Sequence, residues 1–184
     1  MLALGFDIGG TSLKYFFLDR GNKAKKGIFD LPKDFPALIK LIEKIYVDCS
    51  SKSSKKIDKI GLSLAAILDR DRKKILLAPN IGYLTNKDLL GTIKSKLGVK
   101  NIIMEHDIHC FLKAELATGK IASTESVLYV ALGAGIGGAF TVNGKIIMGA
   151  HGSAGEVGNL HHRLAVHLAL DVPVDHLRFG MGEG

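Results

Sequence analysis

The sequence predicts an α/β fold laid out as two related halves, the second incomplete. Three observations lead there. The chain opens on two apolar runs, residues 2–8 and 13–18, joined by the turn Gly9-Gly10-Thr11. Strand and helix patterns then alternate up to residue 117. After a polar stretch, 118–126, a new set of strands begins with its own glycine turn, Gly133-Ala-Gly-Ile-Gly-Gly138.

Each element has its own signal. Residues 27–31 form a third strand after a turn at 19–23. From Asp34 to Cys49, Phe35, Leu38, Ile39, Leu41, Ile42, Ile45 and Tyr46 recur at helical spacing, which predicts an amphipathic helix over a sheet. Residues 57–68 read as one continuous apolar strand of the kind buried on both faces. A short strand is expected at 74–77, and a helix capped by Asn86 or Asp88 that stops at Gly98. Residues 101–104 are another strand, and Asp107 opens a helix through Ala117. Strands at 127–132 and 139–148 follow, the latter folded back at Asn143-Gly144, a strong hairpin signal.

Composition narrows the function classes. With 47% hydrophobic residues and mean hydropathy +0.21 the chain can bury a core, so disorder is not expected. Residues 1–120 carry 22 Lys/Arg against 13 Asp/Glu, and 121–184 carry 3 against 5. Such a basic field attracts nucleotides and nucleic acids alike. No nucleic-acid partner is expected, because helix-turn-helix, zinc-finger and aromatic-interleaved basic motifs are missing. Cys49 and Cys110 lack metal-ligand spacing and are expected to be reduced thiols of a cytoplasmic protein. The uncharged run 126–144 approaches membrane-spanning length, but its glycines and Asn-Gly turn predict a buried hairpin and no membrane partner. Asp7 interrupts the apolar start, which is therefore not a signal peptide.

The chemistry concentrates at the glycine turns. Paired glycines permit positive φ and bring backbone N–H groups to a phosphate without Cβ clashes. Asp7 offers a carboxylate at a strand end for a hydrated magnesium ion, and Thr11 and Lys14 add a hydroxyl and a cation. The same residues would also suit a plain hairpin. Asp107, just past a strand and at a helix start, is placed to accept a hydroxyl proton, or simply to cap its helix. Glu156 adds a carboxylate within a glycine-rich loop.

Three stretches, Gly5-Phe-Asp-Ile-Gly-Gly-Thr-Ser-Leu-Lys14, Leu132-Gly-Ala-Gly-Ile-Gly-Gly138 and the run from Asn143 through Glu156 to Gly158, occur in this order. In them the chain resembles the ROK family of bacterial sugar kinases and repressors, within the hexokinase–actin type superfamily. The resemblance covers roughly residues 2–160. It implies an actin-like, ribonuclease H-like ATPase fold, with a complete N-terminal lobe at 1–118 and the first strands of a second lobe at 119–184. It also implies transfer of the γ-phosphoryl group of ATP, with magnesium, to a hexose or N-acetylhexosamine hydroxyl. By position, Asp7, Gly9, Gly10, Thr11 and Lys14 match the first phosphate loop, with Asp7 reaching magnesium through water. Gly133, Gly135, Gly137 and Gly138 match the second. Asp107 matches the catalytic base, and Asn80, His106, Asp107, Glu156 and Asn159 fall at sugar-contacting positions.

Departures from the family pattern qualify these expectations. His106 stands where an asparagine is common, and Ala65-Ala66 where Pro-Gly is common. Asn159 replaces a histidine tied to sugar and zinc, and the cysteine-rich zinc motif is missing, so zinc is not expected. Residues 161–184, which hold four of the seven histidines, resemble nothing in the family. The expectation is a truncated kinase, weak or inactive, whose uncovered second-lobe sheet is open to another copy of the chain. The alternative is a non-catalytic sugar- or phosphate-binding remnant or regulator. A repressor is disfavoured because the first phosphate loop begins within a few residues of Met1.

Overall fold

The computed structural model describes residues 2–18, 24–51, 56–132, 136–149 and 154–155. The chain divides into two compact units, Met1–Asp107 and Ile108–Gly184.

The first unit is built on a five-stranded sheet. Strands β1 (Ala3–Ile8), β2 (Ser12–Leu18) and β3 (Ala24–Asp30) form an antiparallel meander. Helix α1 (Phe35–Ser50) then carries the chain to β4 (Lys59–Leu64), which runs parallel to β1. A two-stranded ribbon of β5 (Ile67–Leu68) and β6 (Ile75–Leu77), a 3-10 turn at Gly82–Leu84 and helix α2 (Leu89–Leu97) lead to β7 (Asn101–His106). β7 is parallel to β4, giving the order β3-β2-β1-β4-β7.

Alternation along the strands decides which face is buried. Leu4, Phe6 and Ile8 of β1, Leu13 and Phe17 of β2, and Ile60, Leu62 and Leu64 of β4 share one core with α1 and α2. The helices supply Leu38, Ile39, Ile42, Ile45 and Cys49, and Leu89, Ile93 and Leu97, at the three- and four-residue spacing of one helix face. Asp34 caps α1, its Oδ1 accepting the Ala37 N–H at 2.8 Å. Asp88 caps α2 in the same way, accepting from Gly91 N at 2.8 Å, and Gly98 ends α2 at φ 62°. The Tyr83 hydroxyl donates to the Pro32 carbonyl at 2.7 Å, and burial, then the charge of Asp34, raise its pKa.

Two expectations are corrected here. The single strand predicted over 57–68 is two, separated by a bend at Ala65-Ala66. β4 is buried on one face only, since Gly61 and Ser63 alternate with its core residues and stay partly exposed. The break comes where the parallel ladder ends, the Ala65 N–H donating to Ile8 O at 3.3 Å before the chain leaves to pair β5 with β6. Gly9 and Gly10, which permit positive φ, do not use it.

The second unit contains most of helix α3 (Asp107–Ala117), which follows β7 without an intervening residue, and a sheet of order β10-β9-β8. β8 (Leu128–Leu132), β9 (Ile136–Val142) and β10 (Lys145–Ile146) are antiparallel. A small core of Ile108, Leu112, Ile121 and Ala139 joins helix to sheet. Asn143 at φ 50° and Gly144 at φ 70° make the expected two-residue hairpin turn.

Candidate active site

β1, β4 and β7 are parallel, so their C-terminal ends lie on one edge of the sheet, where open α/β sheets receive ligands. Three predicted site segments meet that edge. The turn Gly9–Thr11 follows β1, Asn80 follows β6 of the separate two-stranded ribbon and lies beside Gly10, and His106 is the last residue of β7, β4's other neighbour, with Asp107 next. Since β4 alone separates β1 from β7, the ends of these two strands are about 10 Å apart by strand spacing.

The first turn is tight. Gly9 N donates to Ser12 O at 3.0 Å, leaving Gly10 and Thr11 exposed at the tip, while Leu31 N donates to Thr11 O at 2.9 Å. Gly10 is required by space: a Cβ there would stand 2.9 Å from the Asn80 Cβ. The first-turn glycine and the predicted sugar-contacting asparagine are therefore neighbours, a proximity across 70 residues with no local sequence signal.

Register lines up a polar row behind the turn. Lys14 of β2 pairs with Asp7 of β1, Asp7 with Ser63 of β4, and Ser63 with Glu105 of β7. All four residues project from the side of the sheet opposite the core. The Ser63 hydroxyl donates to Asp7 Oδ1 at 2.8 Å and so fixes that carboxylate. Lys14 is exposed, as a side chain that meets a phosphate in solution must be. Sequence reasoning missed Ser63 because its signal is a cross-strand partner, which only the register reveals.

At the end of β7, His106 Nδ1 lies 3.1 Å from Asp107 Oδ1, and both side chains are partly buried, at 15% and 25% exposure. Asp107 is the first residue of α3. A carboxylate is a group able to accept a proton.

The second glycine run is only partly within view. Gly133 and Gly135 lie outside the described residues, as do Glu156, Asn159 and residues 161–184. Gly137 and Gly138, expected in the turn, are inside β9. Gly137 serves packing there, since a Cβ would come within 2.8 Å of Ile108 Cδ1. A strand can start so early because Ile136, Gly137 and Gly138 pair with Leu132, Ala131 and Val130 of β8 in turn.

Asp7 is the one predicted metal contact. Among the described residues no three His, Cys, Asp or Glu side chains gather as a ligand cage. A single strand-end carboxylate fits magnesium in the manner that ion favours, with its remaining ligands from water and phosphate. No described helix is long and apolar enough to cross a membrane.

The fold with these strand-end loops defines an α/β chain of the actin-like ATPase type. It superposes on a ROK family glucokinase from Streptomyces griseus, solved in complex with glucose and AMPPNP, with a TM-score of 0.75 at 23% identity, covering 88% of this chain and 51% of that one. The chain belongs to the ROK family, whose model matches residues 3–171. It is 29% identical over 180 residues to the N-acetyl-D-glucosamine kinase of Vibrio parahaemolyticus, covering 92% of this chain and 57% of the relative. Similarity to the glucokinase of Halalkalibacterium halodurans is 30% over 166 residues, covering 85% and 49%. The chain thus spans about half the length of the curated relatives it matches.

Proposed function

We propose that the chain carries the acceptor- and phosphate-binding part of an ATP-dependent sugar kinase acting on a hexose or N-acetylhexosamine. The observation that carries this reading is the packing of Gly10 on Asn80, at the strand edge that also ends in His106-Asp107. A phosphate loop, a hydroxyl-binding amide and a carboxylate there meet the needs of phosphoryl transfer, which are mainly positioning and charge neutralisation.

In this reading the backbone at Gly9, Gly10 and Thr11 and the Lys14 ammonium receive the polyphosphate, and Gly133 and Gly135 are assigned phosphate binding as well. Asn80, His106, Glu156 and Asn159 hold sugar hydroxyls. Asp107 takes the proton of the acceptor hydroxyl while its oxygen bonds to the γ-phosphorus and the bond to the β-phosphate oxygen breaks, releasing ADP. Asp7, fixed by Ser63, holds magnesium through water; when bound, that ion neutralises phosphate charge. We place the functional lobe boundary after α3, near residue 118, whereas the compact units divide before that helix, at Asp107–Ile108. Self-association through the open face of β8 and β9, where Leu132 and Ile136 are exposed, belongs to the same proposal and is read by sedimentation.

The test is ADP release with ATP, magnesium and a panel of glucose, mannose, N-acetylglucosamine and N-acetylmannosamine. Turnover with one of them that falls by about 100-fold or more in Asp107→Asn is the expected result. No turnover with any sugar overturns the kinase reading, and a sugar-dependent rise in Tm without turnover would assign a binding role instead.

A further inference from the structure

A partly buried ion pair ties the loop between β5 and β6 to the end of β7. Arg72 Nε donates to Glu105 Oε1 at 2.6 Å, and the backbone N–H of His106 donates to the same oxygen at 3.0 Å. Glu105 is 7% exposed, an unusual place for a carboxylate unless a charge partner holds it there. It sits directly before His106-Asp107, so the oxygen gripped by Arg72 also fixes the main chain where the candidate base begins.

The loop is shaped to present that arginine. Asp69 Oδ1 accepts from Lys73 N at 2.6 Å and from Lys74 N at 2.9 Å, and Arg72 N donates to Asp69 O at 2.9 Å. Arg72 itself is left-handed, φ 55°, a conformation that disfavours any residue with a Cβ. Its Nη1 donates to Arg70 O at 3.0 Å, which locks the guanidinium to its own loop. A turn that needed only to reverse direction would be better served by glycine at this position. The side chain is kept where the backbone disfavours it, and its contact leads to the site.

We propose that Arg72 is a positioning residue for the phosphoryl-transfer site. Through Glu105 it fixes the β7–α3 junction, and with it the direction of Asp107 and His106 toward the acceptor hydroxyl. This rests on the kinase reading for its catalytic consequence, but the junction itself can be tested without turnover.

Arg72→Gly removes the side chain while easing the backbone, Arg72→Lys keeps a charge without the fork, and Glu105→Gln removes the acceptor charge. In a sugar-kinase assay Arg72→Gly is expected to lower kcat at least tenfold with sugar KM within about twofold, and Arg72→Lys to restore part of the loss. Arg72→Gly/Glu105→Gln should be no worse than the poorer single variant, because both changes break one link. Independently, the His106 amide should exchange with solvent at least tenfold faster in Arg72→Gly while amides of β1 keep their protection. If the wild type shows no turnover, the kinase reading falls and amide exchange alone decides this proposal. Unchanged His106 exchange in a folded Arg72→Gly overturns it, as do independent, multiplicative losses in the double variant. Should Arg72→Gly fail to fold, the same exchange measurement on Arg72→Lys decides.

Discussion

At the level of single residues, the site depends on close approaches more than on unusual backbone angles. Gly10 has an ordinary φ, and what it lacks is the room for a methyl beside Asn80. Gly10→Ala is therefore expected to push Asn80 aside, costing about 1–3 kcal/mol in urea unfolding and raising the KM for sugar more than that for ATP. Asp69 gives a pH signature. The Lys74 N–H bond, helped by Lys73 N–H and the two lysine charges, lowers its pKa against the opposing effect of desolvation. A carboxyl whose folded pKa is depressed stabilises the fold above its unfolded pKa and loses that contribution as pH falls through the lowered folded value. The urea midpoint of the wild type should thus exceed that of Asp69→Ala at neutral pH, and the gap should narrow as pH falls below the unfolded carboxyl's pKa and close as it passes the lowered folded value.

Among the elements, those with a strong period were legible and those defined by partners were not. α1 follows from its apolar spacing and Asp34, and α2 from Asp88 and Gly98, because caps and periodicity are local. The split of β4 from β5 at Ala65-Ala66 was hidden, since two alanines carry no turn chemistry and the break is set by where the β1 ladder ends. For the same reason Asp7, Lys14 and Asp107 are candidates that motif and spacing offer, whereas the Ser63–Asp7 contact and the Arg72–Glu105 link have no local signal. The β9–β10 hairpin supplies the prediction for this level. Gly144 has φ 70°, and a Cβ would stand 1.6 Å from the Ser123 carbonyl oxygen, a backbone atom that cannot swing away. Gly144→Ala should destabilise the second unit by more than the roughly 1 kcal/mol typical of a left-handed glycine alone, seen as a lower thermal midpoint.

For the molecule as a whole, stability in the first unit is concentrated on β4, which is flanked by parallel neighbours on both sides. Leu62 lies in the middle of that strand and is 2% exposed. Leu62→Ala is expected to cost about 2–5 kcal/mol in chemical denaturation, because neither flanking strand can close the void without giving up its register. The two sides of that strand also differ in how far apart their partners lie along the chain. The β1–β2 hairpin closes over Gly10 and Thr11 through pairs that are local along the chain, so it can form fast. Asp7 meets Ser63 only across a separation of 56 residues, and β7 must dock after that. The candidate phosphate loop is thus expected to form early in folding and Asp107, at the end of β7, late, because the turn closes on local pairing and the acid waits for long-range docking.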